Sequence, residues 1–160
     1  MPENDDETAF KVWVDADACP RDVQDLLLRN AVKRRIPTVF VANTYFSLPE
    51  LPCVSFQLVP RGADKADDHI VETAGDLDVA VTGDIPLAAR LVERNIAVLS
   101  PRGEEMTSAN IGERLAMRNL MEELRSAGLP TGGPKEFDKN DAQRFANALD
   151  RFITKRLKGK

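Results

Sequence analysis

Five short apolar runs interrupt a largely polar chain: Val12 to Val14, Thr38 to Val41, Val54 to Val59, Val79 to Val81 and Ile96 to Leu99. Most are continuous rather than alternating, and Val, Ile and Phe dominate them, which is the pattern of strands covered on both faces. Amphipathic segments separate most of them, as in a parallel α/β sheet. The first helix is predicted from Pro20, a favoured first helical residue, with Val23, Leu26, Leu27 and Ala31 on one face. It ends at Lys33-Arg34-Arg35, a basic trio that complements the helix dipole, and Pro37 closes it. A second helix is predicted from Asp64 to Ala74, stopped by Gly75, and a third from Pro86 to Arg94. The connection from Asn43 to Cys53 holds two prolines and is shorter than a usual helical crossover, the weakest step in the alternation.

After Leu99 the period becomes helical only. Ile111, Leu115, Met117, Leu120, Met121 and Leu124 recur up to Gly128 and Pro130, and Thr131-Gly132-Gly133-Pro134 reads as a turn. A final helix is expected with Asp138 as N-cap and Phe137 before it, burying Phe145, Leu149, Phe152 and Ile153. Arg144, Arg151, Lys155 and Lys158 fall within a sector of roughly 60 degrees away from that stripe, whose plain reading is a solvated face. The fold expected is α/β, an open and mostly parallel five-stranded sheet with helices on both faces plus C-terminal helices. It forms one domain over 1–160, with an acidic N-terminus at 1–10 and a helical part at 105–160 packed on the sheet domain.

Length and composition agree with that picture. A chain of 160 residues, with 42% apolar and 30% charged residues, suits one domain that buries roughly 70% of its unfolded surface, and excludes disordered and fibrous classes. No apolar run approaches the ~20 residues of a membrane span, and the N-terminus lacks a signal-peptide pattern, so a cytoplasmic protein is expected. Cys19, Cys53 and the single histidine, His69, cannot make a disulfide framework or a four-ligand zinc site, so any metal must be held by oxygen. The net charge of −4 is uneven: residues 1–17 carry six acids and one base, residues 144–160 six bases and one acid. Non-specific duplex binding over the whole surface is disfavoured, while a local basic patch remains available to phosphate.

The acids carry the candidate chemistry. Strand one ends in Asp15-Ala16-Asp17, strand four in Thr82-Gly83-Asp84, and the second helix opens with Asp64, Asp67 and Asp68. Ligands of open parallel sheets bind outside the carboxyl ends of the strands, where the strand order reverses. If strands one and four are neighbours, these carboxylates converge and repel until protons or a divalent cation relieve them. Mg²⁺ and Mn²⁺ prefer such oxygens and can clamp phosphate. A lone aspartate is ordinarily a cap or turn former; two strand ends with a helix make a stronger case, and Asp68 reads as the solvated member. Cys19 reads as a small residue whose reactivity is incidental, and His69 as a surface or partly packed one.

Val-Asp-Ala-Asp-Ala-Cys-Pro at 14–20, Arg-Gly-Ala-Asp-Lys-Ala-Asp at 61–67, Val-Thr-Gly-Asp-Ile-Pro-Leu-Ala at 81–88, Ser-Pro-Arg-Gly-Glu at 100–104 and Thr-Gly-Gly-Pro at 131–134 occur together and in order. On these strings the chain, over about 11–155, resembles the bacterial YaiI/YqxD family, whose function is itself uncharacterised. The resemblance implies a PIN-like fold related to the NYN and flap-nuclease groups, with strand order 3-2-1-4-5. It also implies acids at the end of strand one, in the helix before strand four and just after strand four, matched by Asp15, Asp67 and Asp84. Thr82 fits a recurrent hydroxyl position and Asn43 a polar one near the site. Asp17 departs from the wider pattern and leaves one metal or two open.

The leading expectation is a metal-dependent nuclease for single-stranded RNA rather than duplex DNA. Asp15, Asp67 and Asp84 hold Mg²⁺ or Mn²⁺, with Asp17 and Asp64 assisting through water and Asp17 counted among the catalytic acids. Arg61, Lys65 and Arg102 meet phosphate beside Asn43 and Thr82, the basic stripe of the last helix tracks the strand, and Tyr45 and Phe46 are the plausible stacking platforms, Trp13 being core. Two alternatives stand beside it: a haloacid-dehalogenase-like phosphatase with Asp15 as nucleophile and Asp17 as acid/base, and a metal- or RNA-binding module without turnover. Oligomerisation is left open.

Overall fold

Every residue of β1 (Val12–Asp15) is buried, because this strand lies at the centre of a sheet with helices on both sides. The structure, a computed structural model, describes residues 10–62, 64–132 and 136–158. The acidic stretch 1–9 and the Gly133-Pro134 half of the expected turn lie outside the described residues. The remaining strands are β2 (Thr38–Ala42), β3 (Val54–Leu58), β4 (Val79–Val81), β5 (Ala97–Leu99) and β6 (Glu105–Met106). Their order is β3-β2-β1-β4-β5-β6, parallel throughout except for β6, which runs antiparallel to β5. The expected order 3-2-1-4-5 is therefore found. The sixth strand has two residues, too short to leave a periodic signal, and makes the sheet mixed.

The helices are α1 (Arg21–Arg34), α2 (Lys65–Thr73), α3 (Ile85–Glu93), α4 (Ile111–Ser126) and α5 (Lys139–Lys158), and a 3₁₀ turn over Ala16–Ala18 follows β1. The twofold alternation of a strand divides the interior in two. Val12 and Val14 face α1 and α5, packing with Phe40, Val23, Leu27, Phe145, Leu149 and Ile153. Trp13 faces the other way, with Val41, Ala80 and Val98 against Ile70 of α2 and Leu87 and Leu91 of α3. At the amino end of β1 and β4, buried Asp78 accepts hydrogen bonds from the Trp13 indole and from the backbone N–H groups of Lys11 and Gly75, at 2.8, 2.8 and 2.7 Å. These bonds lock the two strands in register.

The short crossover from Asn43 to Cys53 contains no helix, yet β2 and β3 still pair in parallel. Phe46 and Leu48 pack on the core in place of a helix, and Phe46 and Tyr45 meet Phe56 edge-on at 5.1 and 5.7 Å. Phe46 is thus largely structural, while Tyr45 stays exposed. The C-terminal helices divide. α5 enters the core as expected, with Asp138 and Asp141 exchanging backbone-to-carboxylate hydrogen bonds across its first turn. α4 packs on α3 and buries no residue fully; Met117 and Leu120 are about half exposed.

Arg34 of α1 donates to Asp150 and Thr154 of α5, so the basic trio ties two helices together as well as ending one. The loop Ser100–Glu104 joining β5 to β6 forms a turn closed by Ser100 N–H to Glu104 C=O, with the Ser100 hydroxyl accepting from the Glu104 N–H. Gly103 sits there at φ +88°, pressed on the backbone of α5: a Cβ would lie 2.6 Å from the Arg144 carbonyl oxygen. Gly103→Ala is expected to cost about 2–4 kcal/mol, since it adds left-handed strain to a clash with backbone. Gly112→Ala, in α4 with nothing near its Cβ position, should gain about 0.5–1 kcal/mol. Urea unfolding compares the two, and equal effects would refute this account of Gly103.

Candidate functional site

β1 and β4 are the neighbours at which the strand order reverses, and their carboxyl ends supply two of three converging acids. Asp15 is the last residue of β1, opposite Val41. Two residues beyond Trp13, it shares the face covered by α2 and α3. Asp84 follows β4 and is the N-cap of α3, its Oδ1 accepting from the Leu87 N–H at 3.2 Å, with Pro86 in the first turn. One oxygen serves the helix and the other remains for a ligand. Asp67 lies in the first turn of α2, beside buried Ala66 and one turn before Ile70, which anchors the helix to the sheet. Carboxylate oxygens of Asp15, Asp67 and Asp84 come within 4.8 Å of one another. Oxygens sharing one Mg²⁺ are about 4.2 Å apart when opposite and about 3 Å apart when adjacent, so the three carboxylates must draw inward to ligate such an ion directly.

Thr82 organises the centre. Its hydroxyl donates to Asp15 Oδ2 at 2.6 Å and accepts from the Asp84 N–H at 2.9 Å, joining two of the acids through one fully buried side chain. Asp15 is only 4% exposed. Burial pushes its pKa from the ordinary 3.8 to about 6, the Thr82 hydrogen bond opposes this, and the charges of Asp67, Asp84 and Asp17 add to it. Asp67 is likewise raised to about 6, by burial first and then by Asp84 and Asp64, while Arg90 of α3 pulls it back. Sequence reasoning missed Arg90. It pairs with Asp68 at 3.0 Å, so Asp68 is not simply solvated, and its signal was a cation two turns into the helix that Asp84 caps.

The other expected residues surround this triangle at different depths. Asp17 is exposed within the 3₁₀ turn, outside the triangle, and accepts a 3.1 Å hydrogen bond from the Asn43 N–H. Asp64 is exposed at the N-cap of α2, at φ +63°, in reach of Asp67 electrostatically. Arg61 and Lys65 are exposed at the entry to α2. Arg102 is engaged elsewhere: its guanidinium bonds buried Asp141 at 2.8 Å and lies 5.7 Å from the Phe137 ring, pinning the 100–104 loop to α5. Gly83, between Thr82 and Asp84, donates to the Ala18 carbonyl at 3.0 Å, and a Cβ there would approach that oxygen at 3.2 Å, which draws the 3₁₀ turn against the end of β4. His69 meets Trp13 edge-on at 6.1 Å. The Cys19 thiol is pushed up to about 12 by burial and the Asp15 charge, which removes it as a nucleophile. Cys19 and Cys53 are both free, and no helix among the described residues is long and apolar enough to cross a membrane.

Residues 13–155 match the family model described as "Uncharacterized BCR, YaiI/YqxD family", and the chain belongs to that family. A UPF0178 protein of Myxococcus xanthus is 52% identical over 93% of this chain and 97% of its own length. Another from Bordetella petrii is 53% identical over 89% and 95%, and one from Pseudomonas entomophila 45% identical over 94% and 100%. No solved structure matches the chain.

A carboxyl whose pKa is higher folded than unfolded holds more protons in the folded state between those values, so stability falls as pH rises through them. For Asp15 and Asp67 that window runs from about pH 4 to about pH 6. Urea midpoints of the metal-free protein should drop across it, and Asp15→Asn should flatten the drop and raise the midpoint above it. A wild-type midpoint that climbs through the window would contradict the burial of charge described here.

Proposed function

We propose that this member of the YaiI/YqxD family is a divalent-metal-dependent phosphodiesterase, a PIN-like ribonuclease in which Asp15, Asp67 and Asp84 are the direct ligands of Mg²⁺ or Mn²⁺. The observation that carries the reading is the convergence of these three carboxylates at the switch point of the sheet, two of them raised toward neutrality by burial and by neighbouring carboxylates. Three acids so close, with their nearest cation half turned to Asp68, favour a hard dication over a proton. When bound, such an ion supplies Lewis acidity and a water of lowered pKa.

The protein's own groups do the positioning. Thr82 fixes one oxygen of Asp15, leaving the other available, and through the Asp84 N–H holds the two strand-end acids at constant separation. The Leu87 N–H fixes Asp84. Asp17 and Asp64 at the rim assist through water, and Asp17, held by Asn43, can orient a second ion or the attacking water. Arg61 and Lys65 at the mouth of α2 meet the phosphate, Asn43 and exposed Tyr45 contact the nucleotide, and Arg102 supports the adjoining loop from its ion pair with Asp141. The phosphatase alternative has less support: it asks Asp15 to be an open nucleophile next to Asp17, whereas Asp15 is buried on Thr82 and Asp17 is bonded to Asn43.

Asp15→Asn/Asp84→Asn should abolish Mn²⁺ binding seen by calorimetry and lower cleavage of short single-stranded RNA by about a thousandfold or more, since several kcal/mol of charge stabilisation disappear. Metal binding with no cleavage of any oligonucleotide would leave a binding module, and no metal binding at all would refute the proposal. Thr82→Val keeps the carboxylates but removes their shared hydroxyl, and should weaken Mn²⁺ by about 10–100-fold; unchanged affinity would deny Thr82 its organising role.

A further inference from the structure

A well-formed concavity lies away from the three acids. It is a groove of about 670 Å³ along α5, with Phe10, Leu77, Leu99, Ala148 and Phe152 as an apolar floor and Arg151, Lys155 and Arg156 along its side. None of these three cations is paired with a carboxylate among the described residues; Arg156 lies 4.8 Å from the Phe152 ring, and its buried Nε has no hydrogen-bond partner. Glu105 is the acid at the groove's edge. A surface helix that only needed solubility would lace these cations with acids, as α4 does with Arg118 and Glu122.

The groove and the acidic centre share a wall, the 100–104 loop. Pro101 reaches 3.7 Å from the Cβ position of Gly83, the residue before Asp84, while Gly103 of the same loop lines the groove and presses on α5 at Arg144. From Arg144 to Arg156, α5 spans roughly 18 Å, about the rise of five stacked nucleotides. We propose that this groove is the docking track for the phosphate backbone of the single-stranded RNA whose scissile bond lies at the carboxylates, with Arg151, Lys155 and Arg156 meeting phosphates several nucleotides from the cut. The proposal deepens the reading above and rests on its nucleic-acid side. Charge complementarity selects the occupant: the acidic centre repels phosphate until a cation is present, so retention of a polyanion must come from an unpaired basic surface that adjoins it, and the apolar floor with Phe152 suits bases. This also gives Arg151 and Lys155 of the basic stripe a partner other than water, Arg144 already bonding buried Asp141, and adds Arg156, which the sector of Arg144, Arg151, Lys155 and Lys158 left out.

The test measures binding of a labelled RNA of about 15 nucleotides to the full chain in EDTA, where no cleavage intervenes. Arg151→Gln/Lys155→Gln changes two exposed side chains, with Arg151→Glu/Lys155→Glu as a second variant; Mn²⁺ titration and urea midpoints check that both fold. The glutamine pair should weaken RNA about tenfold at low salt and reduce the slope of log affinity against log salt by about 1.4, two single-strand phosphates' worth, and the glutamate pair should weaken it further. RNA held equally by wild type and both variants, or not held by wild type at low salt, overturns the groove. Asp15→Asn/Asp84→Asn in the same assay should retain the RNA. A wild type that binds RNA in the groove but never cleaves it with Mn²⁺ sinks the nuclease reading and leaves the groove standing.

Discussion

The Thr82 hydroxyl, clasped between the Asp15 carboxylate and the Asp84 amide, is the contact on which the rest of the site depends. A carboxylate buried at the centre of a parallel sheet is costly, and this single donor both offsets part of that cost and fixes where the charge points. Because Asp15 ends β1 and Thr82 follows β4, the bond forms only if those strands are adjacent and in their observed register. At the other end of the same two strands, Asp78 performs a related task with the Trp13 indole and two backbone amides. The pairing of β1 with β4 is thus pinned at both ends by an acid, one saturated with donors and the other left short of them. That difference in satisfaction separates a structural aspartate from a candidate ligand.

The same criterion explains what could and could not be read from the chain. The five runs of Val, Ile and Phe are long enough and apolar enough to announce buried strands, and α1, α2, α3 and α5 announce themselves through period and caps. β6 has two residues and is made by the turn that precedes it, so no pattern precedes its structure. The Asn43–Cys53 crossover looked weak because it lacks a helix; Phe46 and Leu48 supply the burial that a helix would have given. The missing burial of α4 was equally invisible, since an amphipathic stripe states what a helix can cover and not whether anything lies opposite.

For the acids, position along a strand was informative and partnership was not. Asp15, Asp67 and Asp84 were legible because strand ends and a first helical turn are places that a sheet's topology brings together. Asp78 and Asp141 carry the same side chain in comparably ordinary contexts, yet each is consumed by donors from far along the chain. Arg102 shows the converse: its place after β5 suits a phosphate contact, and only the fold reveals Asp141 waiting for it. Arg90 tempers the charge of Asp67 from a neighbouring helix, a distance in space that no spacing in sequence encodes.

The docking of α5 has a consequence for the order in which the molecule can be made. Phe145, Leu149 and Ile153 complete the same interior as Val12 and Val14, and Arg34 reaches across 116 and 120 residues to Asp150 and Thr154. β1 therefore waits for α5, made well over a hundred residues later, before one of its faces is dry. Contacts of such sequence separation form slowly and late. The loop that braces the acidic centre, held by Gly103 against α5, settles only once α5 has been made, so a chain that stops short of it carries its carboxylates without the frame that gathers them.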